Sequence, residues 1–205
     1  RKIPNILVEM VKLGDIITIK TSLYSSIFAQ RKVMMENNSI TLDLYEMQSA
    51  AHLGILRCLE SKKNKECWGY NYKGSLNDQM AKSISGAMGE VAASKFLGIK
   101  FEYHCNVGGV PDLIFKDLKL QVRTQLPKDY NKNSLIIRPK AKPGELYILV
   151  IDEAPNFKIL GFVNSTFVLG QEQWKTTFGL DRPFCYSIPP DKLTPIELLK
   201  NGTWN

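Results

Sequence analysis

Apolar and polar positions fall into a helical rhythm from Asp43 onward. Met47, Ala50, Ala51, Gly54, Ile55, Cys58 and Leu59 recur at three- and four-residue spacing, which predicts an amphipathic helix. Asp43 and Glu46 have the form of a capping box at its start. The polar, basic run from Ser61 to Lys65 marks its end. A second stripe of Met80, Ile84, Ala87, Met88, Val91 and Ala92 predicts a helix that opens at Ser75, with Asp78 three residues on, and stops at Gly98. Gly86 and Gly89 interrupt that stripe. Each costs about 1 kcal/mol of helix propensity relative to Ala, and their small size predicts close approach of a neighbouring element.

After Gly109 the period shortens to two. Leu113 to Phe115 and Leu118 to Gln125 read as strands joined by a Lys116-Asp117 turn. In the second strand Leu118, Leu120 and Val122 share one face, expected to pack inward. Lys119, Gln121, Arg123 and Gln125 share the other. Ser134 to Arg138 predicts a strand, and Glu145 to Asp152 is a nearly continuous apolar run, as a central strand buried on both faces requires. Ala154-Pro155-Asn156 marks a turn, and Phe157 to Val163 predicts the return strand. A short helix is expected over Gln171 to Thr177 and an extended segment over Phe184 to Ile188. Thr194, Pro195 and Glu197 suggest a capped terminal helix. Upstream, Asp15 to Thr21 has β-branched strand character, and Asn37-Asn38-Ser39 is a break. Residues 1–42 therefore read as an N-terminal elaboration and residues 43–205 as the main domain. Two helices, a run of strands and a terminal helix predict an α/β (α+β) domain with a central mixed sheet flanked by helices.

The 205 residues are enough for one core, and 44% hydrophobic and 23% charged residues are ordinary for a globular chain. No run of about 18 apolar residues predicts a membrane span, and no secretory leader is visible. Cys58, Cys67, Cys105 and Cys185 are scattered without zinc or redox spacing. They read as reduced thiols, and the expected location is cytoplasmic. His104 and Cys105 are neighbours whose side chains would diverge in an extended segment. Trp68 and Tyr70, beside Lys73, read as packing anchors, with base stacking as the alternative.

The formal charge of +7 is unevenly distributed. Lys116, Lys119, Arg123, Lys128, Lys132, Arg138, Lys140 and Lys142 face only Asp117 and Asp129 within their window, a local excess of +6. Such a field suits a phosphate backbone, and Lys119, Lys128, Lys132, Arg138, Lys140 and Lys142 are the candidate nucleic-acid contacts. The alternative is a solvated basic surface.

Asp112 opens the first strand of the hairpin and is expected to approach Gln121 across it. Glu90 lies on the preceding helix, where by itself it reads as an exposed carboxylate. Phosphodiester hydrolysis needs oxygen ligands for a hard cation and a group that positions water. Asp112, Gln121 and Glu90 could supply the oxygens, with a cation beside them for the charge that grows on phosphorus.

In Gly86-Ala-Met-Gly-Glu90, Pro111-Asp112 and Gln121-Val122-Arg123, the chain resembles the PD-(D/E)xK, or restriction-endonuclease-like, nuclease superfamily over about residues 75–165. The tail beyond resembles those of phage-encoded members. The resemblance implies a restriction-endonuclease-like core and a Mg²⁺- or Mn²⁺-dependent DNA endonuclease serving phage or mobile-element DNA metabolism, with a homodimer as a further implication. It implies that Glu90, Asp112 and Gln121 bind the metal and that Arg123 contacts the scissile phosphate, the four together forming the catalytic set. Gln121 stands where the family has an acid and Arg123 where it has Lys. An amide oxygen still ligates a hard cation, whereas a guanidinium stays protonated and cannot act as a base. Lys119, on the same strand face, is the candidate substitute for the missing amine. The alternatives are a nucleic-acid-binding protein that has lost catalysis and a protein-interaction role on the same scaffold.

Overall fold

The computed structural model describes residues 38–65, 74–105, 110–127 and 133–203. The chain divides into two compact units, Arg1–Asn37 and Asn38–Asn205. Everything below concerns the second. The strand expected at Asp15 to Thr21 and the Trp68-Tyr70 pair lie outside the described residues, as do Lys128 and Lys132. The second unit begins a few residues before Asp43, because β1 (Ser39–Thr41) is already a strand of its sheet.

Both long helices form where the periodicity puts them. α1 spans Leu44–Lys63, and its capping box is complete: Glu46 N–H donates to Asp43 at 2.8 Å, and Asp43 N–H donates to Glu46 at 2.7 Å. α2 spans Leu76–Leu97 with the same device between Ser75 and Asp78, and Gly98 ends it in the left-handed region. Such caps satisfy backbone groups that a helix end leaves open. The helices pack closely because Gly54 has no side chain. A Cβ there would sit 2.5 Å from Ile84 Cα. Gly89 plays the expected role against the sheet, where a Cβ would collide with Thr124. Gly86 does not: the space beside it is open.

The remaining elements are β2 (Leu113–Phe115), β3 (Leu118–Gln125), β4 (Leu135–Ile137), β5 (Leu146–Glu153), β6 (Asn156–Asn164), a one-turn helix α3 (Ser165–Val168), β7 (Lys175–Thr176), β8 (Cys185–Ile188) and α4 (Ile196–Asn201). Five strands form a mixed sheet in the order β1-β6-β5-β3-β2, with β3 parallel to β5 and the other pairs antiparallel. β2 and β3 join through Lys116 and Asp117, both at positive φ, the two-residue turn whose twist suits a hairpin.

β5 is buried on both faces, as its apolar run predicts. Leu146, Ile148 and Val150 meet residues of α1 and α2 in one core. Tyr147, Leu149 and Ile151 meet a second core built with a separate three-stranded sheet, β4-β8-β7. Its strands β4 and β8 form where the sequence predicts extended segments, but periodicity did not reveal that they pair as a second sheet. Gln171 to Thr177 is not a helix throughout: one 3-10 turn over Glu172–Trp174 runs into β7. Thr194 does not cap the terminal helix either. Its N–H and carbonyl pair with Phe162 at 2.8 and 2.9 Å, beside a bulge where Gly161 holds φ 144° and leaves room for Thr194. No helix among the described residues is long and apolar enough to cross a membrane.

Candidate functional site

Glu90 sits in the sheet-facing half of α2, next to the glycine that lets the helix approach β3. It is 7% exposed, so the exposed carboxylate that the helix suggests in isolation is not what forms. Arg57 of α1 reaches it: one terminal guanidinium nitrogen donates to both carboxylate oxygens, at 2.7 and 2.9 Å. The Arg57 Nε donates to the His104 carbonyl at 3.1 Å, so one side chain ties α1, α2 and the segment after α2 together. Burial pushes the Glu90 carboxyl up to about 7. The hydrogen bond from Arg57 pulls the other way, and the negative charge of Asp112 adds to the rise.

Asp112 lies one residue before β2. The register Leu113↔Leu120 places it opposite Gln121 at the mouth of the hairpin, as the alternation predicts. Its carboxylate does the work of a missing strand residue, accepting the Val122 N–H at 2.7 Å. The Arg123 guanidinium lies 3.5 Å from the same oxygen. That guanidinium also donates to the Val122 carbonyl at 2.9 Å and, at a long 3.5 Å, to the Gln121 amide oxygen. Its central carbon lies 5.1 Å from the centre of the Tyr147 ring, a cation–π contact across the parallel β3–β5 pair.

Two polar groups therefore meet at the end of the main sheet. Arg57 and Glu90 approach from the helix side. Gln121, Arg123 and Tyr147 lie on the side of the smaller sheet. Asp112 belongs to both, because its charge acts on Glu90 and on the Tyr147 phenol. Burial raises the Tyr147 phenol above its ordinary value, Arg123 opposes this, and Glu145 supports it. The Tyr147 hydroxyl donates to Glu145 at 3.3 Å.

No family model, curated protein or solved structure matches this chain. Its function must be read from the site itself.

Among the described residues, no three His, Cys, Asp or Glu side chains gather as a metal cluster. The expected donor set is two carboxylates and one amide oxygen. These are hard donors of the kind that Mg²⁺ and Mn²⁺ take. The charge of Asp112 acts on Glu90, but Gln121 projects from the face of β3 opposite the helix-side core that holds Leu120 and Val122, so the donor types suit a divalent ion while their placement does not gather all three. Arg57 and Arg123 compete for the same oxygens and weaken the fit.

On the smaller-sheet side, Gln121 opens into a cleft of about 250 Å³ shared with Lys140, Lys142, Glu145 and Tyr147. A second cleft of about 250 Å³, lined by Lys119 and again by Lys142 and Glu145, adjoins it. Lys119, Lys140 and Lys142 thus gather beside Gln121, and Arg138 is exposed at the start of the same loop. Gln125, on the same strand face, is used structurally: its amide donates to the Ser134 carbonyl at 2.6 Å.

Sequence reasoning missed Arg57, Glu145 and Tyr147. Arg57 carried a signal. It falls between Gly54 and Cys58 on the inward stripe of α1, where a lone arginine needs a buried partner. Glu145 and Tyr147 read only as the edge and body of an apolar strand.

Proposed function

We propose that this chain is a Mg²⁺- or Mn²⁺-dependent DNA endonuclease on a restriction-endonuclease-like, PD-(D/E)xK core, acting in phage or mobile-element DNA metabolism. One observation carries the reading. At one end of the sheet Glu90 approaches from the helix side and Gln121 with Arg123 lies on the other face, and Asp112, at the mouth of the hairpin between them, acts on both groups. Glu90 is buried and Asp112 half-buried, and the two acids, 22 residues apart in sequence, lie near enough for the charge of one to act on the other.

Glu90, Asp112 and Gln121 would hold the ion, which when bound would polarise the phosphodiester and lower the pKa of water. The chain's own side chains do the rest. Arg123, held on the Tyr147 ring and permanently protonated, receives a phosphate oxygen and offsets the charge that grows on it. Lys119, Lys140 and Lys142 line the approach and hold the backbone through charge. Arg57 keeps Glu90 oriented inside a site that would otherwise expel a carboxylate.

A second reading, DNA binding without cleavage, is favoured by one observation: each acid faces an arginine, and the third oxygen is an uncharged amide. Calorimetric titration with Mn²⁺ separates the two. The nuclease reading expects binding that is lost in Asp112→Asn and Glu90→Gln, together with cleavage of bound duplex. Tight, salt-sensitive DNA binding with no Mn²⁺ heat and no cleavage would leave the second reading in its place.

A further inference from the structure

The loop from Thr177 to Pro183 joins β7 to β8 and presents Phe178 and Leu180 to solvent, 50% and 58% exposed. Phe178 is also held at φ 55°, a left-handed conformation that bulky side chains rarely adopt. The loop is nonetheless well tied. Phe178 N–H donates to the Thr176 hydroxyl at 2.9 Å, and Leu180 N–H to the Thr177 carbonyl at 3.2 Å. Arg182 Nε donates to the Thr177 carbonyl at 3.1 Å, and its guanidinium lies 4.9 Å from the centre of the Phe178 ring. The strained backbone costs stability that the exposed ring recovers little of by burial, while the Arg182 guanidinium over the ring holds it in place. Such strain, held in place by its surroundings, concentrates at binding sites.

The sheet register supplies the partner. Ile137 pairs with Tyr186, and Thr176 pairs with Cys185, both antiparallel. The chain leaving β4 and the chain leaving β7 therefore emerge from the same end of the smaller sheet. The first becomes the loop with Arg138, Lys140 and Lys142 that lines the cleft beside Gln121. The second becomes the Phe178 loop. A cationic path and an exposed aromatic ring at one sheet end match a ligand that carries both phosphates and open base faces.

We propose that Phe178, braced by Arg182, is a stacking platform for an unpaired base, so that the nucleic acid bound here contains a single-stranded stretch that runs past Lys140 and Lys142. The assignment rests on the nucleic-acid reading above. Base–aromatic stacking is indifferent to sequence, whereas a fully paired duplex offers the ring base faces only at its two ends.

Anisotropy of labelled oligonucleotides, measured in EDTA to exclude cleavage, tests this with wild type, Phe178→Ala and Phe178→Trp. A single strand and a fully paired duplex are the two probes. Phe178→Ala should bind the single strand about tenfold more weakly, the loss of one base–aromatic stack. It should keep its affinity for duplex, and Phe178→Trp should bind the single strand like wild type. Undiminished single-strand binding by Phe178→Ala overturns the proposal, as does an equal loss for both probes. If wild type binds neither probe at low salt, the nucleic-acid reading itself fails. If Asp112→Asn abolishes cleavage while Phe178→Ala binds normally, only the platform is lost.

Discussion

Replacing Glu90 by Gln should stabilise the protein above neutral pH and leave it unchanged in acid. Glu90 is buried, and burial outweighs the pull of Arg57, raising its carboxyl from an ordinary 4.5 to about 7. In the unfolded chain the same group ionises near its ordinary value. Between the two the folded state holds the proton that the unfolded state has released, so stability falls as pH rises. The contribution is fully present below about pH 4.5 and is lost as pH passes about 7. Each pH unit in that window costs about 1.4 kcal/mol, so the whole interval costs about 3 kcal/mol. A protonated carboxyl and an amide are nearly the same shape and charge, so wild type and Glu90→Gln should match at about pH 4.5. At about pH 7.5 the variant should be more stable by up to about 3 kcal/mol. Urea unfolding of both proteins across this range measures the difference, since titrating groups that do not interact with Glu90 cancel between them. A wild type that is the more stable of the two at about pH 7.5 would mean that the Arg57 ion pair outweighs the burial of Glu90, the opposite of the balance derived above. A variant more stable than wild type near neutral pH would mark Glu90 as a liability that packing does not explain.

Three further outcomes follow from the geometry. Gly54→Ala would drive a methyl into the backbone of α2 at Ile84, and should cost about 1–3 kcal/mol in thermal or chemical unfolding. Lys116→Asn, at φ 49° in the hairpin turn, should add about 0.5–1 kcal/mol, because Asn tolerates the left-handed region better than Lys; a lower melting temperature would contradict this. Asp112→Ala removes the acceptor of the Val122 N–H and should cost roughly 1–3 kcal/mol. Asp112→Asn, which keeps an oxygen there, should cost less in the same unfolding assay.

What the sequence disclosed depended on how local the cause was. Both capping boxes, the Gly98 stop, the Lys116-Asp117 turn and the alternation of β3 are set by residues within a few positions of one another, and all formed as read. The doubly buried β5 was legible because its six inward and outward side chains are all apolar. Two strands of the smaller sheet, β4 and β8, formed where they were read, but their pairing was not legible because they lie far apart in the chain, and the two-residue β7 carries no pattern of its own. Thr194 looked like a cap because its neighbours suit one, yet the Gly161 bulge recruits its backbone to β6. In the site, the sequence placed Asp112 against Gln121 and put Gln121 and Arg123 on one face. It could not show that Arg57, 33 residues before Glu90, would hold that acid in the interior, because nothing local links the two helices. The arginine partners are also what the chemistry turns on, since they compete for the oxygens a metal would use.

Nicking of supercoiled plasmid in Mn²⁺ by wild type, Asp112→Asn and Gln121→Glu, assayed side by side, decides between cleavage and binding alone. A metal-dependent nuclease gives nicking by wild type, none by Asp112→Asn, and faster nicking at lower Mn²⁺ by Gln121→Glu, which returns a charged oxygen to the donor set. Nicking that survives in Asp112→Asn, or no nicking by either wild type or Gln121→Glu while plasmid is bound, would contradict the nuclease reading.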